Sequence, residues 1–503
     1  MPRRNQSPLI ILHERTGAEE AASAPPLYRQ LYARLRDLIL EEQLGTGDRL
    51  PSSRALARDL SISRTTVELA FDQLLAEGFI ERRPGSGTFV AAILPDPPRP
   101  LPDTDHLALA ESENEQGLSQ QGHRLLATPL MHEQGPALPG LAPCRPGADV
   151  FPIDLWNRIL ARTVREQGHA LQHTAPPEGD PMLRDVLAAH LARTRSVQCS
   201  PEQIVVTTST QQALDVLARL LLDPGDPVWI EEPGYLGART ALHAAGGKLV
   251  PVPVDAEGID IDAGRRRAPE ARLAYVTPSH QYPSGVTLSI ARRLDLLQWA
   301  TQANAWIIED DYDSEFRYTG RPLAPLQSID STGHVIYLGT FNKALFAGLR
   351  LGYAVLPPVL VRPFTRALEA SAGPVSTLQQ AVLSIFIADG HFVSHLRRSR
   401  ERYRVRRDAL LEAVETTCAD LLRLGPLETG LHVCAYLPDA VSDIAVSAQA
   451  AGAGLYVPPL SACYLTPAQQ SGLILGYGGT DVEAICQGMK HLAHAIRQAG
   501  RAL

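Results

Sequence analysis

From residue 27 the apolar positions fall into a helical rhythm. Leu27, Leu31, Leu35, Leu38 and Ile39 share one face of a helix predicted over 27–42, and Gly45 and Gly47 end it. Ser52 or Ser53 can cap a second helix running to residue 60, with Leu56 and Leu60 turned inward. After the short turn SIS, Ser63 caps a third over 64–77, whose inward face is Val67, Ala70, Phe71 and Leu74. The segment GFIERRPGSGTFV then reads as a hairpin, with extended runs at 79–82 and 88–90 around a PGSG turn. Behind an N-terminal tail, 1–25, residues 26–92 therefore predict a helix-turn-helix followed by a wing. Residues 93–140 lose all periodicity. They are rich in proline, acid and glutamine and predict a flexible linker.

From 141 to 503 the pattern changes again. Short apolar runs at 204–207, 227–230, 273–276, 305–308 and 335–338 alternate with helical stretches, which predicts an α/β layer fold on a mostly parallel sheet. Four of the runs end in polar or glycine-rich clusters, EEPGY, TPSHQYPSG, EDDYDSEF and GTFNK, at the strand ends where such sheets build ligand sites. From about 378 onward, helices and two short strands, 432–436 and 473–477, predict a smaller α+β subdomain.

Composition narrows this reading. The length of 503 residues exceeds one ordinary core. A net charge of −8 gives no overall nucleic-acid signature, so any DNA contact has to be local. Residues 26–92 hold nine arginines and nine acids, and on pattern alone a plain three-helix packing domain stands beside the DNA-binding reading. No apolar run approaches the roughly 18–20 residues of a membrane span, and no signal segment opens the chain. The six cysteines (144, 199, 418, 434, 463 and 486) lack paired spacing, which argues against a zinc or disulfide framework and for a cytoplasmic protein without a metal. The run RRSRERYRVRRDALL places seven arginines on a predicted helix, a solvated face or a second DNA patch.

The chemistry starts from one amine. Lysine occurs only at 248, 343 and 490, and Lys343 follows the run 335–338 in a turn with Gly339, Thr340 and Asn342. A strand end, a small-residue turn and a primary amine suit a Schiff-base lysine; a solvated surface lysine is the plainer alternative. At the other end of the chain, Arg64, Thr65 and Thr66 open the third helix, where a recognition helix meets bases and phosphates, and Arg82 and Arg83 edge the wing.

Residues 26–92 closely resemble a GntR-type winged-helix domain, through the RLPSSR element, the SRTTV start of the recognition helix and the GSGTFV wing. That similarity makes Arg54, Arg64, Thr66 and Gly87 candidates for contact with a double-stranded operator. Residues 141–503 resemble the fold-type I aminotransferases that use pyridoxal phosphate. The domain order is that of the MocR/GabR family, which fuses the two. Carried over by position, the resemblance implies that Lys343 forms the Schiff base and that Asp310 pairs with the pyridinium nitrogen. Tyr312 would bond the phenolic oxygen and Tyr235 would stack on the ring. Thr210, Gln211, Thr340 and Arg350 would hold the phosphate, and His280 and Tyr282 would line the other edge.

Four positions depart from the family pattern. Ser209 replaces a glycine of the phosphate turn, Thr174 a tyrosine given to the partner's phosphate site, and Asn342 a serine. SGLILGYGG lacks the arginine that clamps a substrate carboxylate, with Leu473 or Leu475 standing near its place. The implied protein is a regulator sensing an amine, an amino acid or the cofactor itself. It would be a homodimer in a head-to-tail arrangement, each winged helix against the partner's large domain. The rival is a working aminotransferase with an appended DNA-binding domain.

Overall fold

The computed structural model describes residues 25–93, 117–126, 140–320, 324–371 and 373–500. Two compact units divide it, Met1–Asn114 and Glu115–Leu503. In the first, α1 (Leu27–Leu40), α2 (Ser53–Asp59) and α3 (Arg64–Ala76) precede a hairpin of β1 (Ile80–Arg83) and β2 (Gly87–Val90). Ser52 and Ser63 cap α2 and α3, accepting from Ala55 N at 3.2 Å and Thr66 N at 3.1 Å. Leu31, Leu35, Leu38, Val67, Phe71 and Leu74 form the core, with Ile80 and Val90 of the hairpin closing it. Two details differ from the sequence reading. Leu27 opens α1 and stays 51% exposed, with no turn before it to pack on. Glu42 takes a left-handed backbone, φ 56°, and the helix stops at Leu40.

In the second unit the described part of the expected linker is not all extended. Residues Gln120–Leu126 form a helix, α4, because Ser119 accepts from Gly122 N at 3.1 Å and the helix finds a neighbour in the segment Leu236–Ala244. The remainder of the linker reading lies outside the described residues, apart from a few at its ends. Next come α5 (Ile153–Gln167), α6 (Pro181–Arg195), β3 (Ile204–Thr207), α7 (Thr210–Leu221), β4 (Pro227–Glu232) and α8 (Leu236–Ala244). They lead to β5 (Lys248–Asp255), β6 (Gly258–Ile259), α9 (Ile261–Arg267), β7 (Leu273–Val276), α10 (Ile290–Ala303), β8 (Trp306–Asp311), α11 (Leu326–Ile329), β9 (Val335–Thr340) and β10 (Gly352–Val355).

The eight strands run in the order β3-β10-β9-β8-β7-β4-β5-β6. Strands β9, β8, β7, β4 and β5 are parallel, while β10 runs antiparallel to both β9 and β3. Both faces are covered, which is why these strands read as unbroken apolar runs. Ile230, Tyr275, Ile308 and Leu338 pack one way against Leu214 and Leu217 of α7. Trp229, Ala274 and Ile307 pack the other way, against Leu296 and Trp299 of α10.

Strand β5 escaped the sequence reading because Pro251 and Pro253 interrupt it. Both point their missing N–H away from β4, to the side where only the two-residue β6 pairs, so no ladder bond to β4 is lost. Then follow α12 (Pro358–Ser371), α13 (Thr377–Ala388), α14 (His391–Thr417), β11 (Arg423–Leu424), β12 (His432–Tyr436), α15 (Asp443–Gly452), β13 (Gly472–Gly476) and α16 (Val482–Ala499). The antiparallel sheet β11-β12-β13 and helices α14, α15 and α16 enclose the smaller core. The arginine run lies on α14. Arg406 is buried on the Asp149 carboxylate at 2.7 Å, whereas Arg397, Arg398, Arg400 and Arg402 are exposed, a mostly solvated face.

The register Gly352↔Thr340 brings the start of β10 beside the end of β9, so the segment between them turns at the carboxyl edge of the parallel strands. That edge is held from below by a buried ion pair. Arg195, at the end of α6, meets the Asp311 carboxylate, which also accepts from Tyr337 Oη at 2.6 Å. Replacing Arg195 by Met strands a buried carboxylate and is expected to cost about 3–5 kcal/mol. A lowered urea midpoint followed by tryptophan fluorescence checks this, since all four tryptophans (156, 229, 299 and 306) lie in the second unit.

Candidate functional site

A cavity of about 700 Å³ opens at the carboxyl ends of β4, β8 and β9, beside the first turn of α7. Lys343, Asp310, Tyr235, Tyr282, Tyr312, Thr210, Gln211, Thr340 and Arg350 all line it. The topology assembles them from five strand ends, those of β3, β4, β7, β8 and β9. Thr340 ends β9 and accepts from Asn342 N at 3.1 Å, a tight turn that leaves Lys343 half-buried in the cavity. The other two lysines, Lys248 and Lys490, are exposed. Arg350 has a left-handed backbone, φ 53°, which reverses the chain into β10 and turns the residue to the same cavity.

Asp310 lies near the end of β8, 4% exposed. Its Oδ2 accepts from Tyr275 Oη at 2.8 Å, while Oδ1 is buried without a hydrogen-bond partner. Burial pushes its carboxyl up to about 7, against the opposing pull of the Tyr275 hydrogen bond. Strand β3 ends at Thr207, and Ser209 then caps α7 by accepting from Gln212 N at 3.1 Å, so the free N–H groups of the first turn face the cavity. Gln211 is placed differently from the expectation. Its side-chain amide donates to Gly237 O at 2.9 Å, leaving its backbone for any anion.

His280 is a correction, for it does not line the cavity. Its ring is buried one layer back, where Nδ1 lies 2.9 Å from Asp313 Oδ1. Tyr312 Oη donates to the His280 carbonyl at 2.9 Å and stands between this ring and the cavity. His432 joins the layer, with Cys144 Sγ 3.4 Å from its Nδ1. His280, Asp313 and His432 bring ligand-type atoms within 4.8 Å of one another, a cluster that spacing along the chain does not reveal. The close fit requires Gly430, at φ 93°, where a Cβ would stand 2.1 Å from the His280 ring.

In the first unit Arg54, Arg64 and Thr65 are exposed at the start of α2 and α3, and Thr66 is half-buried with its Oγ1 2.8 Å from Ser63 Oγ, committed to the cap. Gly87 takes φ 119° in the wing, and a side chain there would press on Arg49 at 3.1 Å. Arg82 reaches back from β1 to α3, donating to Asp72 at 2.7 Å and Glu68 at 3.0 Å. Glu68 also accepts from Ser53 Oγ at 2.6 Å and faces Arg64 at 3.4 Å. The Ser53 hydrogen bond, then Arg82 and Arg64, hold its carboxyl below the usual range.

The family model described as bacterial regulatory proteins, gntR family, matches residues 27–90, and that for aminotransferase class I and II matches 150–474. The probable rhizopine catabolism regulatory protein MocR of Rhizobium meliloti is 40% identical over 471 residues, 94% of each chain. The chain belongs to the MocR-type transcriptional regulators. The pyridoxine biosynthesis transcriptional regulator PdxR of Corynebacterium glutamicum is 31% identical, over 93% of this chain and 95% of its own. Among solved structures, the multiple substrate aminotransferase of Thermococcus profundus superposes with a TM-score of 0.70 at 27% identity, covering 77% of this chain and 98% of that one.

A MocR-type regulator of this composition is a DNA-binding, pyridoxal phosphate-dependent regulator of transcription. No helix among the described residues is long and apolar enough to cross a membrane. The cavity fits the cofactor: an unpaired buried carboxylate oxygen for a ring N–H, a primary amine for an aldehyde, and a cationic end rich in N–H groups for a phosphate. Three of the family departures are tolerated locally. Ser209 has extended backbone, φ −174°, so no glycine is needed, and its hydroxyl caps α7. Asn342 bonds Thr340 through its backbone, and Thr174 is exposed and lines no part of this cavity. Leu473 and Leu475 face the smaller core, and Ile474, between them, faces Tyr282. Sequence reasoning also missed Tyr275, Cys144 and Tyr456 in the lining, since an isolated tyrosine or cysteine carries no local signal.

Two expectations follow. Glu231, Glu309, Asp310 and Glu315 are each pushed up to about 7 by burial, well above the roughly 4 of an unfolded carboxylate. Folded protein then binds more protons than unfolded between those values, so this contribution to stability is present below about pH 4 and is lost as pH rises through about 7. The urea midpoint of cofactor-free protein should be higher at pH 5.5 than at pH 8, and Asp310→Asn should narrow that difference. In the first unit, Glu68→Gln releases Arg64 and leaves Arg82 on Asp72 alone. Affinity for unrelated duplexes should rise, and the log–log salt dependence should steepen by up to about one. Fluorescence anisotropy across a salt series reads both.

Proposed function

We propose that the large unit senses a small molecule through cofactor held at Lys343 and passes the signal to the winged helix on its operator. Lys343 provides the amine for the Schiff base. Asp310 would accept from the pyridinium nitrogen, the Tyr235 ring would stack on the cofactor, Tyr312 would bond its phenolic oxygen and Tyr282 would line the other edge. The first-turn N–H groups of α7 at Thr210 and Gln211, with Thr340 and Arg350, neutralise the phosphate. When bound, the cofactor supplies an electrophilic carbon conjugated to an electron-withdrawing ring. Everything else comes from the chain. Tyr275 orients the Asp310 carboxylate through its hydroxyl.

The observation that carries this reading is Asp310, a buried carboxylate with one oxygen unpaired in the same cavity as a lysine amine. A buried acceptor left unpaired is costly, and a cationic ring N–H removes that cost. Ile474 in the place of a clamp arginine supports sensing over turnover of amino acids. By the family resemblance the regulator acts as a homodimer, whose two winged helices read paired half-sites, and an amine or related effector shifts the balance of two states.

The visible spectrum tests the assignment. Full-length protein with added pyridoxal phosphate should show a Schiff-base band that Lys343→Ala abolishes. Asp310→Asn should keep the band and weaken cofactor retention by tenfold or more, about 1.4 kcal/mol, in equilibrium dialysis. A band unchanged in Lys343→Ala overturns the reading.

A further inference from the structure

The side of the cavity that faces β13 differs in kind from an amino-acid site. Along β13 the side chains alternate: Leu473 and Leu475 enter the smaller core with Val433 and Leu492. Ile474 turns the other way, fully buried against Tyr282 and Cys463, with Cys144, Tyr235 and Tyr312 packed on the same cluster. Ile474 and Cys463 do not themselves line the cavity; they back its lining residues Tyr282, Tyr235, Tyr312 and Cys144, which make this side aromatic and sulfur-bearing.

We propose that the signal read at this site is a primary amine that carries no carboxylate. The inference rests on the cofactor reading above. Among the described residues only Lys343 and Arg350 bring a full positive charge to the cavity lining. Both are committed there, one to the aldehyde and one to the phosphate, so neither is left for a ligand carboxylate. Arg239, on the neighbouring α8, donates to the Tyr464 carbonyl at 3.0 Å and does not line the cavity. A carboxylate brought against Tyr282 and Cys144 would lose its water and gain no cationic partner, an arrangement disfavoured in a buried site.

The features that repel a carboxylate favour an amine with a neutral body. Tyr235, Tyr282, Tyr312 and Tyr456 give the cavity aromatic surface for a cation or a neutral body. Cys144 adds a soft, small surface between them. The exchange is balanced without any oxidant or reductant. The incoming nitrogen forms the C=N bond as the bond to Lys343 Nζ breaks, and the two protons of the incoming amine end on Nζ.

Matched pairs that differ only in the carboxylate provide the test: tyramine and tyrosine, histamine and histidine, ethanolamine and serine. Each is titrated into full-length protein loaded with pyridoxal phosphate. The visible band is followed, with Lys343→Ala protein and free cofactor as blanks, and concentrations are corrected for the fraction of unprotonated amine. The decarboxylated member of at least two pairs is expected to act at concentrations tenfold or more below its amino acid. Amino acids acting at equal or lower concentration overturn the inference and leave the Lys343 reading intact. So does a stable band that neither member moves, which would make the cofactor itself the signal. The absence of a Lys343-dependent band, measured first, removes the cofactor reading and this inference together.

Discussion

The large unit is built around the burial of carboxylates. Glu231 and Glu232 close β4, Glu309, Asp310 and Asp311 close β8, and Asp313 follows; all are buried. Each is accommodated by its own device. Glu231 accepts from Thr277 Oγ1 at 2.7 Å, and Glu309 from Leu326 N and Gln327 N at 2.8 and 2.9 Å. Glu232 accepts from Leu465 N at 3.0 Å and Thr466 N at 2.8 Å, which ties the sheet end to the loop before β13. Asp311 has Arg195, and Asp313 has His280. Asp310 is the one of these that reaches the cavity, and it keeps an oxygen free. The other acids fix the strand ends, and those ends place Asp310 opposite the Lys343 turn.

This arrangement explains what the chain discloses when read alone. The covered sheet writes itself as apolar runs, so β3, β4 and β7 to β9 are legible, and the polar ends of most of them mark the site. Strand β5 is hidden because two prolines normally argue against a strand, and only its near-edge position makes them harmless. The identity of the site residues came through resemblance, since Lys343, Asp310 and Arg350 lie far apart in sequence and no local spacing unites them. Where a side chain is aimed was not legible. His280 and Tyr282 are two positions apart, yet one lies behind Tyr312 and the other lines the cavity. Ile474 was hidden between two leucines because the strand phase, which decides which of three neighbours packs on Tyr282 rather than in the smaller core, depends on the partner strand β12.

The winged-helix unit shows the same division. Its helices and hairpin follow from caps and periodicity almost residue for residue. Its electrostatics do not, because Glu68 acts on Ser53, Arg64 and Arg82 together, three residues brought near it from three different elements. Within that balance of nine arginines and nine acids, Arg64 and Arg82 are already engaged by carboxylates of the same unit.

The distribution of basic residues has a chemical consequence of its own. An aldehyde reacts with primary amines and ignores guanidinium groups at neutral pH. With 47 basic residues of which only three are lysines, this protein offers an aldehyde few side-chain amines, and two of the three, Lys248 and Lys490, lie exposed, away from the cavity. On the proposed reading, Lys343 meets little competition from other lysines of its own chain.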